Sequence, residues 1–239
     1  MRLKLLSTLN AKTVKGEKRG YLTGILYLAP ADESKLGNLC PFASQGCRAA
    51  CLYTAGRGRF AMTKRARLRK TRMFFKDSAR FVDMLAHDVE TLGRWATIRH
   101  LEPVVRLNGT SDIPWERIKG TQGLVIMDLF PHIQFYDYTK RPSRRVMHPN
   151  YHLTFSHSEE NTPFAIKELE DGKSVAVVFD VRRSKPLPHT WNGFRVIDAD
   201  AHDLRFLDPP GVVVGLRAKG QARFDNTGFV VLNNGAQAR

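Results

Sequence analysis

Residues 24–30 read Gly-Ile-Leu-Tyr-Leu-Ala-Pro, a short apolar run that ends at a proline. An apolar run of this length, closed by Pro30, predicts the first buried strand of the fold. The next segment is a polar loop over residues 38–53, and it holds every cysteine of the chain. The predicted strand therefore comes first and the cysteine loop follows it.

A helical pattern follows the cysteine loop. From about residue 59 to residue 95, apolar residues recur at steps of three and four positions with charges between them. The pattern predicts one long helix, or two helices with a break near Asp77 and Ser78, where either side chain can cap a second start. The first part, over about residues 59–76, is predicted to be a strongly basic helix.

Six short apolar runs follow residue 103, and each is succeeded by a polar cluster. The runs are residues 104–107, 133–136, 152–155, 175–179, 194–197 and 212–216. Most are apolar enough to be buried on both faces, as parallel strands are. The order predicts an α/β fold, a partial or closed parallel β/α barrel with some short or missing connector helices. We expect a single α/β domain over residues 1–239, ending in a frayed tail of about ten residues.

The charge balance points to a polyanionic partner. The chain has 38 Lys and Arg against 23 Asp and Glu, a formal net charge of +15. Such a field attracts nucleic acid, which we take as the leading partner, DNA or RNA; the alternative is that the charge only maintains solubility. No stretch approaches the ~20 apolar residues of a membrane helix, so we expect no membrane partner and a cytoplasmic location.

The cysteine loop is the strongest motif in the chain. Cys40, Cys47 and Cys51 form a C-x6-C-x3-C arrangement within twelve residues. In a reducing cytosol they stay thiols and are free for metal. Three thiolates can hold a 4Fe-4S cluster that keeps one iron open, or a zinc ion, although zinc needs a fourth ligand and the nearest histidine in sequence is His87. The remaining alternative is three small buried side chains.

A basic block without any acid begins six residues after Cys51. Its like charges repel along a helix, and bound phosphates would relieve that repulsion. The alternative is a solvated helix face. The predicted nucleic-acid-binding residues are Arg57, Arg59, Lys64, Arg65, Arg67, Arg69, Lys70 and Arg72.

Polar residues that follow the predicted strands are candidates for a catalytic or ligand-binding site. A barrel would bring the loops after its strands to one face, although each residue can equally be a helix cap or turn residue. The candidates are Asp112, Tyr138, Lys140, Ser156 and Glu159. A second acidic group can form a divalent metal site or a simple turn, and it consists of Asp198, Asp200, His202 and Asp203.

Two families resemble this sequence. Residues 38–58, NLCPFASQGCRAACLYTAGRG, together with residues 110–115, 135–141 and 151–156, resemble the phage gene product 88 domain family over most of the chain. This resemblance implies a phage or prophage origin and a host-cell cytoplasm, without implying an activity. The cysteine loop after the first strand is also similar to that of radical SAM barrels, whose usual spacing is C-x3-C-x2-C. That resemblance implies a TIM-like barrel and a four-iron cluster whose open iron binds S-adenosylmethionine.

Two classes of function are therefore expected. The first is an iron–sulfur enzyme of phage type, similar to radical SAM enzymes, that acts on nucleic acid or nucleotides with a small-molecule ligand at the open iron. The second is a non-catalytic nucleic-acid-binding module in which an iron–sulfur cluster or zinc is structural. Full ligation of the metal by protein would favour the second class.

Overall fold

A computed structural model describes residues 5–232. In that range the chain forms a mixed α/β fold around a ten-stranded sheet. The strands are β1 (Leu6–Ser7), β2 (Tyr21–Leu26), β3 (Glu102–Arg106), β4 (Gln134–Thr139), β5 (Tyr151–Ser156), β6 (Val175–Asp180), β7 (Thr190–Trp191), β8 (Phe194–Asp198), β9 (Val213–Arg217) and β10 (Val231–Leu232). The helices are α1 (Ala11–Glu17), α2 (Gln45–Ala49), α3 (Ala61–Lys76), α4 (Ser78–Ile98), α5 (Ile126–Leu129) and α6 (Thr162–Glu170).

The sheet is mostly parallel and open. Its strand order is β1-β2-β3-β4-β5-β6-β9-β8-β7, and β10 pairs with β6. The pairs from β2 to β6, and those joining β6, β9 and β8, are all parallel. Each edge ends in a two-residue antiparallel strand, β1 on β2 and β7 on β8. The predicted α/β class and parallel strands are confirmed, but the closed form of the barrel is wrong, because these short edge strands end the sheet instead of joining it into a ring.

The long helical segment is two helices, as one of the two alternatives predicted. Asp77 separates α3 from α4, and its side chain accepts a hydrogen bond from the Arg80 amide at 2.9 Å. The buried face of α4 includes Phe81, Leu85 and Val89, which belong to the same core cluster as Val105 of β3. The helix pair therefore covers the first half of the sheet.

Several connections carry no α-helix, as expected. The chain passes from β4 to β5 and from β8 to β9 without one, whereas α6 connects β5 to β6. Residues 231–232 of the predicted tail form β10, and residues 233–239 lie outside the described residues. Loops at the carboxyl ends of the parallel strands carry most of the polar candidate residues, and they meet around one cavity.

Candidate functional site

A cavity of about 320 Å³ lies at the carboxyl ends of the parallel strands. Its walls come from the loops after β3, β4, β8 and β9, from the end of β5 and from the cysteine loop. Ligands of open parallel sheets bind at this position because the strand ends leave a crevice between neighbouring loops. The cavity is therefore where the fold places a ligand site.

All three cysteines line this cavity as free, partly exposed thiols. The Cys40 sulfur accepts a hydrogen bond from the Ala31 amide at 3.4 Å, and the Cys51 sulfur accepts one from the Tyr53 amide at 3.5 Å. Burial raises the pKa of Cys40 to about 12 and also raises the pKa values of Cys47 and Cys51. Without a metal the three groups are neutral thiols; a bound metal would deprotonate them.

The cysteine loop is held in place by Glu159. This carboxylate accepts hydrogen bonds from the Ser44 hydroxyl at 2.8 Å and from the Gly46 amide at 2.7 Å. The Ser44 oxygen in turn accepts from the Cys47 amide at 3.1 Å and caps α2. A side chain at position 46 would overlap the Thr227 hydroxyl, so only glycine allows this close approach. Glu159, a catalytic candidate from the sequence, does not line the main cavity; it anchors the loop that carries the cysteines.

The other four candidates do line the cavity, and they are Asp112, Tyr138, Lys140 and Ser156. The Lys140 ammonium donates to the Ser156 hydroxyl at 2.9 Å and to the His157 carbonyl at 2.8 Å. Asp112 accepts from the Lys140 amide at 2.8 Å, which ties the loop after β3 to the end of β4. Burial lowers the pKa of Lys140. The structure thus brings these four residues together beside the cysteines.

Sequence reasoning missed the ion pair at the far wall. Arg106, at the end of β3, contacts Asp203 at 2.6 Å and stacks on the Tyr138 ring at 4.6 Å from the ring centre. A charged residue inside the apolar run 104–107 was the available signal for Arg106. Asp203 was recognised only as a member of the acidic cluster, and its pairing with Arg106 was not predicted.

The acidic cluster itself is ion-paired. Arg217 contacts Asp198 at 2.8 Å and Asp200 at 3.0 Å, while Lys219 contacts Asp200 at 2.5 Å. Within residues 5–232, no group of three or more His, Cys, Asp or Glu side chains is arranged as a ready metal site. This holds for Cys40, Cys47 and Cys51 as well as for the acidic cluster. The carboxylates of Asp198, Asp200 and Asp203 are paired with arginine and lysine side chains, which favours the turn over a divalent metal site.

The basic block divides into exposed and packed side chains. Three members make contacts within the protein: the partly buried Lys64 lies 5.2 Å from the Tyr53 ring centre, the partly buried Lys70 donates to the Leu5 carbonyl at 2.6 Å, and Arg67 is 7% exposed. Burial removes Arg67 from the predicted phosphate-binding face, whereas the prediction for Lys64 and Lys70 stays a prediction. The exposed members are Arg57, Arg59, Arg65, Arg69 and Arg72. Arg65, Arg69 and Arg72 follow helical spacing on α3 and are called the exposed arginine face below.

Fold and site together define an α/β protein with a three-cysteine loop over the carboxyl ends of a parallel sheet. The sequence model of the Gene product 88 family matches residues 4–232, so the chain belongs to the phage gene product 88 family, and the first resemblance is confirmed. No curated protein and no solved structure matches the chain. Among the described residues, no helix has the length and apolar character needed to cross a membrane.

Proposed function

We propose that this protein holds a 4Fe-4S cluster on Cys40, Cys47 and Cys51, with one iron free of protein ligands and facing the cavity. The observation that carries the proposal is that three thiols of one loop line the same cavity as Asp112, Lys140 and other polar residues from the strand ends. A cluster places its thiolates on separate irons, so its ligands do not have to converge on one point. The chain has three cysteines, whereas structural zinc takes four protein ligands.

The charge of the cavity favours a second, anionic molecule. Five cationic side chains and three carboxylates line it, so its wall stays positive even beside a cluster of charge about −1, and a ligand with negative charge balances that wall. The cations are Lys15, Arg106, Lys140, Arg217 and Lys219, and the carboxylates are Asp112, Asp200 and Asp203. A small-residue floor of Ala176, Val178 and Ala199 adds an apolar surface. A nucleotide, with its flat base and phosphates, combines these two properties.

The first candidate function is therefore an iron–sulfur enzyme, similar to radical SAM enzymes, that modifies a nucleotide or a nucleic-acid end in the host cytoplasm. When bound, the cluster supplies one-electron chemistry and an iron site for a small molecule such as S-adenosylmethionine. The chain's own residues bind and orient: Arg106 and Lys140 present positive charge, and Tyr138 offers a ring at the cavity wall.

The second candidate is a nucleic-acid-binding module with a structural cluster or zinc. The exposed arginine face favours it, since these three arginines form no ion pair with any residue between 5 and 232. Arginines of this kind bind phosphates with little sequence preference and with strong salt dependence.

Metal analysis of the intact protein separates the two candidates. The protein is purified without oxygen, its iron, sulfide and zinc are measured, and the reduced form is titrated with S-adenosylmethionine in an electron paramagnetic resonance experiment. Four irons and four sulfides with a spectrum changed by the cofactor support the enzyme. A protein that contains zinc and no iron would exclude the iron–sulfur enzyme and leave the nucleic-acid-binding module.

Matched variants assign the ligands. Cys40→Ser, Cys47→Ser and Cys51→Ser should each lose most of the iron. Arg48→Gln is the control, because Arg48 lies next to Cys47 in sequence but pairs with Asp32 at the surface and does not line the cavity. Full iron in any serine variant would contradict the ligand assignment.

A further inference from the structure

Arg67 differs from its basic neighbours in its position on α3. It lies on the inward face of the helix with Thr71 and Phe74, which are also buried. The Thr71 hydroxyl accepts a hydrogen bond from the Ala29 amide at 2.9 Å, so this face packs on the segment after β2. Through Arg67 this face also contacts Tyr53, at the end of the cysteine loop. Arg67 is therefore inside the protein beside the proposed cluster and cannot reach solvent phosphates.

The guanidinium of Arg67 is mostly buried, and none of the residues that the structure describes pairs with it as a counter-charge. It lies 4.8 Å from the ring centre of Tyr27 and 5.3 Å from that of Tyr53. Its Nε and Nη1 atoms find no hydrogen-bond partner, and no ion pair to it exists, among residues 5–232. Arginine is always charged, and a buried charge is normally paired with an anion or with several hydrogen bonds. Two aromatic faces supply only part of that compensation.

The cysteine loop contacts the Arg67 guanidinium through the Tyr53 ring. Tyr53, one of the two rings under Arg67, also donates its amide hydrogen to the Cys51 sulfur at 3.5 Å. As a thiol, Cys51 carries no charge. As a ligand of a cluster it would be part of an anion, since three thiolates and an oxidised four-iron core have a net charge of about −1. The proposed cluster would therefore supply the negative charge that the Arg67 guanidinium lacks.

We propose that Arg67 is a positioning residue for the cluster, a fixed cation on the Cys51 side that stabilises the bound anion and favours its reduction. The proposal rests on the proposed function. In the reduction, an external one-electron donor such as dithionite transfers one electron to the core, no bond breaks, and the charge of the cluster with its three thiolates becomes about −2. A nearby buried cation stabilises the more negative state and raises the reduction potential.

A redox titration of the cluster-loaded protein tests this role. Arg67→Met keeps the length of the side chain and removes its charge, and we expect the reduction equilibrium to become at least tenfold less favourable, about 59 mV for a one-electron couple. Arg67→Lys keeps the charge and should stay closer to wild type. Arg80→Met is the control, because Arg80 is exposed on α4. Equal potentials in Arg67→Met, Arg80→Met and wild type would overturn the proposal.

Thermal unfolding without the cluster gives a second measurement that does not depend on loading. In the metal-free protein Arg67 is an unpaired buried charge, so Arg67→Met should melt at a higher temperature than wild type, by at least about 3 °C. With the cluster bound, the order should reverse. A metal-free variant that melts lower than wild type would contradict the proposal. A wild-type protein that binds no iron would defeat the proposed function instead, so the two failures are distinguishable.

Discussion

Glu159 holds the cysteine loop in place through its carboxylate, and the substitution Glu159→Ala tests how much stability these contacts contribute. In the native structure this carboxylate accepts hydrogen bonds from the Ser44 hydroxyl at 2.8 Å and from the Gly46 amide at 2.7 Å. Hydrogen bonds to a charged group contribute ~1.5–3 kcal/mol each. Glu159 is only partly buried, so water replaces part of the loss. We expect the free energy of unfolding to fall by about 3 kcal/mol, at the low end of the sum for two such bonds.

Denaturation of matched variants measures this loss. A fall of about 3 kcal/mol corresponds to a melting temperature lower by about 6–12 °C for a chain of this size. Glu160→Ala is the control, because the neighbouring Glu160 is exposed and its substitution removes the same charge from the same loop. Glu159→Gln should fall between the two, because it keeps one acceptor oxygen. Iron content should fall with stability in Glu159→Ala. If Glu159→Ala and Glu160→Ala unfold at the same temperature, the anchoring role is refuted.

Three further predictions concern pH, packing and polynucleotide binding. Burial raises the pKa of Asp137 to about 7, so the native state binds a proton that the unfolded chain releases, and stability should fall as pH rises from about 4 to about 7. In Asp137→Asn that part of the pH dependence should disappear from urea titrations, and an unchanged pH profile would contradict it. Gly46→Ala forces a side chain into the contact beneath α2 and should lower both melting temperature and iron content; wild-type values for both would show that the loop can move aside. Changing the exposed arginine face to Gln should weaken binding of single-stranded polynucleotide and flatten its salt slope by about one unit per lost phosphate contact, measured by fluorescence anisotropy. Neutralising Arg182, Arg183 and Lys185, which are exposed after β6, removes the same charge and should have a smaller effect; equal effects would mean that only net charge matters.

Much of the fold could be read from local patterns. The apolar runs at residues 104–107, 133–136 and 175–179 coincide with β3, β4 and β6 to within a few residues. They were visible because a strand buried on both faces must be apolar along its whole length. The helix break at Asp77 was visible for a different local reason, since a short acidic side chain can satisfy the free amides of a new helix.

Elements whose pairing depends on distant partners were not visible. The two-residue strands β1 and β7 carry too little pattern to detect, yet they form the antiparallel edges that leave the sheet open. The position of β9 between β6 and β8 is likewise a matter of sheet order, which short apolar runs do not encode. For these reasons the parallel sheet was predictable and its closure was not.

By itself, the sequence determined that three cysteines occupy one loop, that this loop follows the first buried strand, and that polar clusters follow the later strands. Those are properties of neighbours along the chain. Only the tertiary structure decided which charges are used inside the protein: Glu159 holds the loop, Arg106 pairs with Asp203, and Arg67 is buried against two tyrosines. The physical reason is that burial and ion pairing join residues far apart in sequence, so a charged residue's role depends on what folds against it.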